Sequence, residues 1–456
     1  PLNHANKETD MTTKVHAHSE AAQHYATRDR LMEEETRRRQ GAFFTPAIWV
    51  DEAHAMLDAE LGPDWRETCI VWDPAAGTGK LTRDYQFKDL IISTAEKPDV
   101  DVILGQGYNP GAAVFAYDFL NDDYSPFFDG KNVIPDAVVD RLLAAARAGK
   151  RLVFLMNAPY GTAGNAGTVK GDSKAGIAVT AVNAQMKRDK IGASAQQLYA
   201  QFMYRCAKLA EQYGFARSTV AHFSKPTFMC SGSYKGFRDF WYGRYAYKGG
   251  MLFQASHFAD VSGAWGISFT IWSEGRQVNA PILVDLKDVE EFAVVKTGSK
   301  ALYTPEGRTS SDWVRAPAKG LSSVDAPQMT SGLKVVDKAG TPVLCGSLMY
   351  VVAKGVSVME NAAGVAVVSA GYANGNGWAV TPGESFRRSM ALYAARKLVT
   401  GNWINDKDEY LRPHTEDTSA YRQWNDDAIV YAMLHPSNNC TAMRGVPYKG
   451  KVWRVK

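Results

Sequence analysis

The tetrad Asn157-Ala158-Pro159-Tyr160 closes the apolar run Leu152-Val-Phe-Leu-Met156. A short continuous apolar run bounded by turn residues is the signature of a buried strand, so the tetrad stands at a strand end. These residue types suit methylation of a planar amino group. The lone pair of such a nitrogen is delocalised, and two fixed acceptors free it by holding both N–H groups. The side-chain oxygen of Asn157 and the main-chain carbonyl of Ala158 are such a pair, and acceptors of this kind count most where water is excluded. Tyr160 supplies a face for stacking, which offsets part of the few kcal/mol that extruding a base from a duplex costs. An ordinary strand-to-loop turn has the same composition, so the tetrad gains its meaning from its companions.

The first companion is Ile70-Val-Trp72, a short apolar strand with Asp73 at its carboxyl end, followed by Pro74-Ala-Ala-Gly-Thr-Gly79. Gly77 and Gly79 let the main chain turn tightly and approach a ligand without a Cβ clash. Lys80 to Tyr85 then start a predicted helix, which makes this a nucleotide-type crevice with Asp73 bonding the ligand or positioning the loop. A phosphate-binding P-loop is excluded, because Pro74 stands where it needs glycine and Leu81 where it needs Ser or Thr. A dinucleotide fingerprint is excluded by Thr82, where a third Gly or Ala belongs. Further acids follow at strand ends. Glu96 closes Leu90-Ile-Ile-Ser-Thr-Ala95 and suits ribose hydroxyls, while Asp118 and Phe119 close Val114-Phe-Ala-Tyr117 and suit an amino group and an aromatic ring.

With these motifs the chain resembles the N6-adenine DNA methyltransferases, in the arrangement where the donor motifs precede the catalytic motif and the target-recognition region follows. Gly41-Ala42-Phe43-Phe44-Thr45-Pro46 is similar to that family's N-terminal donor-site motif. The resemblance spans about residues 41 to 275. It implies an α/β, Rossmann-like domain that binds S-adenosyl-L-methionine. Phe43, Thr45 and Pro46 would surround the methionine end of that donor, and Asp73, Ala75, Gly77 and Gly79 would form its loop. Glu96 would hold the ribose, Asp118 and Phe119 the adenine, and Asn157, Ala158, Pro159 and Tyr160 the target base. An aromatic ahead of the last strand of the sheet would cover the base from its other face, and Phe258 is the candidate. The family usually has proline where Ala158 stands, and without that ring φ is freer. The mechanism requires no metal.

Thr45 and Pro46 are also a helix start by their types, with Thr45 as cap and Pro46 in the first turn. Ile48, Trp49, Ala53, Met56, Leu57 and Leu61 mark one face, and Gly62-Pro63 ends the helix. Downstream, Arg217 to Phe223 is a core strand, a helix lies near Gly232 to Tyr242, and residues 250–256 and 266–272 form a hairpin of the same sheet. His222 and His257 are read as structural residues.

With 52 basic and 48 acidic residues the net charge is +4, too mild for a global field to hold nucleic acid, so such contact rests on local patches. Cys69, Cys206, Cys230, Cys345 and Cys440 are scattered and odd in number, which argues against a disulfide framework and fits a reducing cytoplasm. No apolar stretch reaches the ~18 residues of a membrane helix.

Three regions are expected: a flexible arm over residues 1–30, a catalytic domain over 31–278, and a target-recognition region over 279–456. The arm lacks the apolar core of a secretion signal. The last region is β-rich over residues 280–380, with a helix at 384–400 whose Arg387, Arg388, Arg396 and Lys397 are either a phosphate-facing edge or a solvated rim of a packed helix. The partner expected is double-stranded DNA with its target adenine flipped out, alongside any nuclease as a separate restriction subunit. Two rivals stay open. One is methylation of a protein glutamine amide or an RNA amino group. The other is a catalytically silent, donor-binding DNA-binding or specificity subunit.

Overall fold

The computed structural model describes residues 45–123, 133–161, 179–258, 263–278 and 280–324, and shorter stretches between 328 and 455. Phe43, the arm expected over residues 1–30 and residues 162–178 lie outside the described residues. The chain divides into two compact units, Pro1–Tyr303 and Thr304–Lys456.

The first unit is an α/β, Rossmann-like domain. Its strands are β1 (Ile70–Asp73), β2 (Leu90–Thr94), β3 (Ala113–Ala116), β4 (Leu152–Asn157), β5 (Ser218–Ser224), β6 (Tyr245–Gln254), β7 (Gly266–Glu274), β8 (Ile282–Glu290) and β9 (Ala293–Leu302). They form one sheet in the order β3-β2-β1-β4-β5-β7-β6-β8-β9. The first five in that order are parallel. β7 then runs antiparallel to both β5 and β6. Every residue of β1, β2 and β5 is buried, as strands covered on both faces must be, and this explains the apolar runs Ile70–Trp72 and Leu90–Ile92.

The longer described helices of the unit are α1 (Ala47–Leu61), α2 (Lys97–Gln106), α3 (Asp136–Arg147), α4 (Ala181–Arg188), α5 (Leu198–Gln212) and α6 (Lys235–Tyr242). α1 buries the face its spacing predicts. Trp49, Ala53 and Leu57 are almost wholly inaccessible, Ile48, Met56 and Leu61 pack at their margin, and Trp49 stacks on Phe253 of β6 at 3.8 Å. Each large apolar side chain buried this way contributes about 1.5–3 kcal/mol. Gly62 ends the helix at φ +90°, where its N–H donates to the Asp58 carbonyl.

Two expectations are corrected here. Lys80 to Tyr85 form successive turns, not a helix. Carbonyls that a helix would use are drawn off by side chains: Asn109 Nδ2 donates to the Thr82 carbonyl at 3.0 Å, and His54 Nε2 pairs with that of Leu81 at 2.8 Å. The first unit, expected to end at 278, also runs on to Tyr303. β8 pairs in parallel with β6 through Met251↔Asp285 and Leu252↔Leu286, so the β8–β9 hairpin extends the same sheet.

In the second unit, β10 (Met349–Val352), β11 (Ala366–Val368) and β12 (Trp378–Val380) make a three-stranded antiparallel sheet. It shares a core with α7 (Ser310–Arg315), α8 (Glu384–Leu398) and α9 (Ser419–Leu434). The bases of α8 are engaged within the unit. Arg396, 2% exposed, donates to the Gly355 carbonyl, Arg388 reaches Glu416, and Arg387 reaches Asp426. A helix edge whose bases are committed this way is not a ready phosphate-binding rim. No described helix is long and apolar enough to cross a membrane.

Candidate active site

Parallel pairing of β1 with β4 sets the site. The register Ile70↔Leu152, Val71↔Val153, Trp72↔Phe154 carries Asp73 and Asn157 to neighbouring strand ends, although the two motifs are far apart in sequence. β2 and β3 lie on one side of β1, and β4 and β5 on the other. The chain therefore leaves the sheet in opposite directions at this point, and such a switch opens a crevice at the carboxyl ends of the strands.

A cavity of about 250 Å³ occupies it. Small-molecule sites run from ~300 Å³ upward, so its size is near their lower end. The β1 loop lines it through Ala75 and Gly77, the β2 end through Glu96, the β3 end through Asp118 and Phe119, and the β4 end through Asn157 to Tyr160, with Thr45 beside them. Ten of the sequence candidates thus share one cavity: Thr45, Ala75, Gly77, Glu96, Asp118, Phe119, Asn157, Ala158, Pro159 and Tyr160. Gly77 sits at φ +51°, and a Cβ added there would meet only open space, which leaves the main chain accessible to an occupant.

Asp73, Gly79, Pro46 and Phe258 do not line it. Asp73 is wholly buried, and its Oδ1 accepts from the Ala75 N–H at 3.2 Å while Oδ2 has no partner among the described residues. It shapes the glycine loop from beneath. Burial pushes its carboxyl up to about 8, against which the Ala75 bond acts as the smaller, lowering influence. A folded pKa raised above the unfolded one favours the protonated native state. The stability contributed by neutral Asp73 is therefore complete below the unfolded pKa of about 4 and is lost as pH rises through about 8. Asp73→Asn is accordingly expected to flatten the decline in stability from pH 4 to 8, measured by urea unfolding at each pH. A variant curve parallel to the wild type's would refute a neutral Asp73.

Pro46 is itself the residue preceding α1, and Thr45 does not cap the helix. The Thr45 hydroxyl instead accepts from Asn157 Nδ2 at 2.9 Å. This bond fixes the carboxamide so that Oδ1 is turned away from Thr45, and there it accepts from the Tyr160 hydroxyl at 2.8 Å. Tyr160 is only 5% exposed and meets Trp265 edge-on at 5.8 Å, so its ring is packed rather than held open for stacking. Phe258 is 1% exposed and sits in the core against Phe223 and Phe253. It cannot meet a ligand, and the assignment to base stacking is corrected. The aromatic directly ahead of β7 is Trp265, partly exposed, with the Lys225 ammonium 5.1 Å from its ring centre.

At the other end, Phe119 stacks on Phe202 of α5 at 5.1 Å. The Asp118 carboxylate is partly occupied by its own turn, accepting from the Leu120 N–H and from Asn121 Nδ2. Glu96 is exposed and precedes α2. Two charged cavity residues escaped the sequence reading, Lys80 and Asp99. Asp99 follows Glu96 by one helical turn, a spacing that was available as a signal. Burial raises its pKa, a bond from Thr94 Oγ1 opposes that, and the Glu96 charge adds to it. His222 and His257 are structural, as expected. His222 is buried beside Thr270 with its pKa pushed down to about 3 by burial, and His257 pairs with Asp288 at 3.0 Å.

No family model matches the chain, and no curated protein does. Among solved structures it is similar to the type ISP restriction-modification enzyme LlaBIII bound to DNA, at 13% identity and TM-score 0.37, over 55% of this chain and 20% of that one. It is also similar to a class I S-adenosylmethionine-dependent methyltransferase from Listeria monocytogenes, described as putative, at 11% identity and TM-score 0.34, over 54% and 67% of the two chains. A third is a modification subunit of a putative type I restriction enzyme from Vibrio vulnificus YJ016, at 12% identity and TM-score 0.34, over 66% and 60%. The chain spans 20% and 28% of the lengths of the first two structures it matches.

Proposed function

We propose that this chain is an S-adenosyl-L-methionine-dependent methyltransferase acting on the N6 amino group of an adenine flipped out of duplex DNA. The observation that carries this reading is that the Asn157 tip and the β1 glycine loop line one cavity at adjacent parallel strand ends. The residues fit the donor: open main chain at Gly77, carboxylates at Glu96 and Asp118 for hydroxyls and an amino group, and the Phe119 ring for a base. When bound, the donor supplies an electrophilic methyl group on a sulfonium.

The protein's part is to orient the nucleophile. Thr45 holds the Asn157 carboxamide so that Oδ1 is free to exchange its bond from the Tyr160 hydroxyl for one from the target amino group. The carbonyl of Ala158 takes the second N–H. Releasing Tyr160 from Asn157 frees its ring to meet the base, and Trp265 takes the covering role that sequence gave to Phe258. The separate unit from Thr304 onward is the candidate for reading the target sequence.

The packed Tyr160 and the alanine at 158 favour one alternative, a donor-binding relative without transfer activity. Mass spectrometry of nucleosides from duplex DNA incubated with the protein and labelled donor decides between them. N6-methyladenine is expected. Unmodified DNA at donor saturation would support the silent alternative, and label retained in RNA or protein would replace the substrate.

A further inference from the structure

The chain leaves β3 through Tyr117 into a turn at residues 118–123, of which Asp118, Phe119 and Leu120 line the cavity. The Asp118 N–H donates to Asp122 Oδ2 at 2.8 Å. Asp123 sits at φ +50°, a left-handed conformation that a non-glycine residue keeps only where its surroundings hold it. Arg205 of α5, 2% exposed, does the holding. Its Nη2 is shared among the carbonyls of Asp122 and Asp123, at 3.4 and 3.1 Å, and the Tyr117 hydroxyl, at 3.2 Å. That hydroxyl donates in turn to the Asp122 carbonyl at 3.2 Å. A guanidinium buried this far is costly unless it is hydrogen-bonded, and these bonds tie the entry of one turn to its exit. Arg205 itself does not line the cavity.

We propose that Arg205 is a positioning residue that sets the donor site's preference for a 6-amino purine, acting through Asp118. This rests on the donor-site reading above and adds to it the source of base selectivity. Asp118 accepts from the Leu120 N–H at 3.0 Å and from Asn121 Nδ2 at 2.7 Å. A carboxylate has about four acceptor sites, so roughly half remain for an occupant, and their direction is that of the turn. A 6-amino group donates to such a site, whereas a 6-oxo group meets it lone pair to lone pair. Only a carboxylate that is held in place discriminates between them, because a mobile one swings aside from the oxo group.

The test uses the full chain and calorimetric binding of S-adenosylhomocysteine and of its 6-oxo counterpart, S-inosylhomocysteine. Wild type is expected to prefer the amino form by roughly 10- to 100-fold, as one hydrogen bond to a charged group implies. Arg205→Met is expected to remove most of that preference and Arg205→Lys to retain part of it. Tyr117→Phe, which deletes one of the three acceptors of Nη2, is expected to reduce it and carries the comparison should Arg205→Met fail to fold. In an Asp118→Asn background the Arg205 substitutions should change the preference no further, since residues that act through one another are not additive. Equal weakening of both ligands with the preference intact would mean a structural role alone and overturn the proposal. So would an Arg205 effect that persists beside Asp118→Asn, or a wild type that binds both ligands alike. A wild type that binds neither would instead bring down the donor-site reading itself.

Discussion

Asn157→Ala is expected to lower kcat for methyl transfer to duplex DNA by about 10²–10³-fold, the loss seen when one preorganised polar partner of a reacting group is removed. Donor affinity should stay within a few-fold of wild type, because Glu96, Asp118 and Phe119 lie at the ends of other strands. Asn157→Asp is the informative companion. It keeps an acceptor for the amino group but loses the N–H that Asn157 donates to Thr45. It should therefore recover part of the activity that alanine removes. Tritium transfer gives kcat and calorimetry gives donor affinity. An alanine variant with more than about a tenth of wild-type kcat would show that Asn157 Oδ1 is not the acceptor.

The second large effect separates two aromatics near β7. Phe258→Ala should cost about 3–5 kcal/mol of stability, since it empties a packed position among Phe223 and Phe253. Trp265→Ala, at a partly exposed position, should cost much less. It should instead weaken binding of DNA carrying a mismatch at the target adenine by about 1–3 kcal/mol, the worth of one base–aromatic stack. Urea denaturation and fluorescence anisotropy measure the two quantities. Were Phe258→Ala stable but defective in DNA binding, with Trp265→Ala normal, the correction made from burial would be reversed.

The α/β class and half of the residues of the cavity wall were legible in the sequence for a definite reason. Buried parallel strands must be continuous apolar runs, and the residues just past their carboxyl ends must face the same crevice, so Gly77, Glu96, Asp118 and Asn157 could be placed without knowing distances. Local signals failed where a side chain chose between partners that lie far away in sequence. Thr45 has the type of a helix cap, yet its hydroxyl accepts from Asn157. Asp73 has the type of a ligand-binding acid, yet it lies wholly beneath the loop. Phe258 and Trp265 are both aromatics ahead of β7, and only packing sends one into the core and leaves the other beside Tyr160. The hairpin at Ile282–Leu302 reads in sequence as part of the following β-rich region, and only its register with Met251 and Leu252 makes it part of the nine-stranded sheet of the first unit. Sequence determined which groups reach the strand ends, because periodicity and turn chemistry are local. Tertiary structure decided which of those groups face the cavity, because burial and hydrogen-bond competition are settled among all neighbours at once.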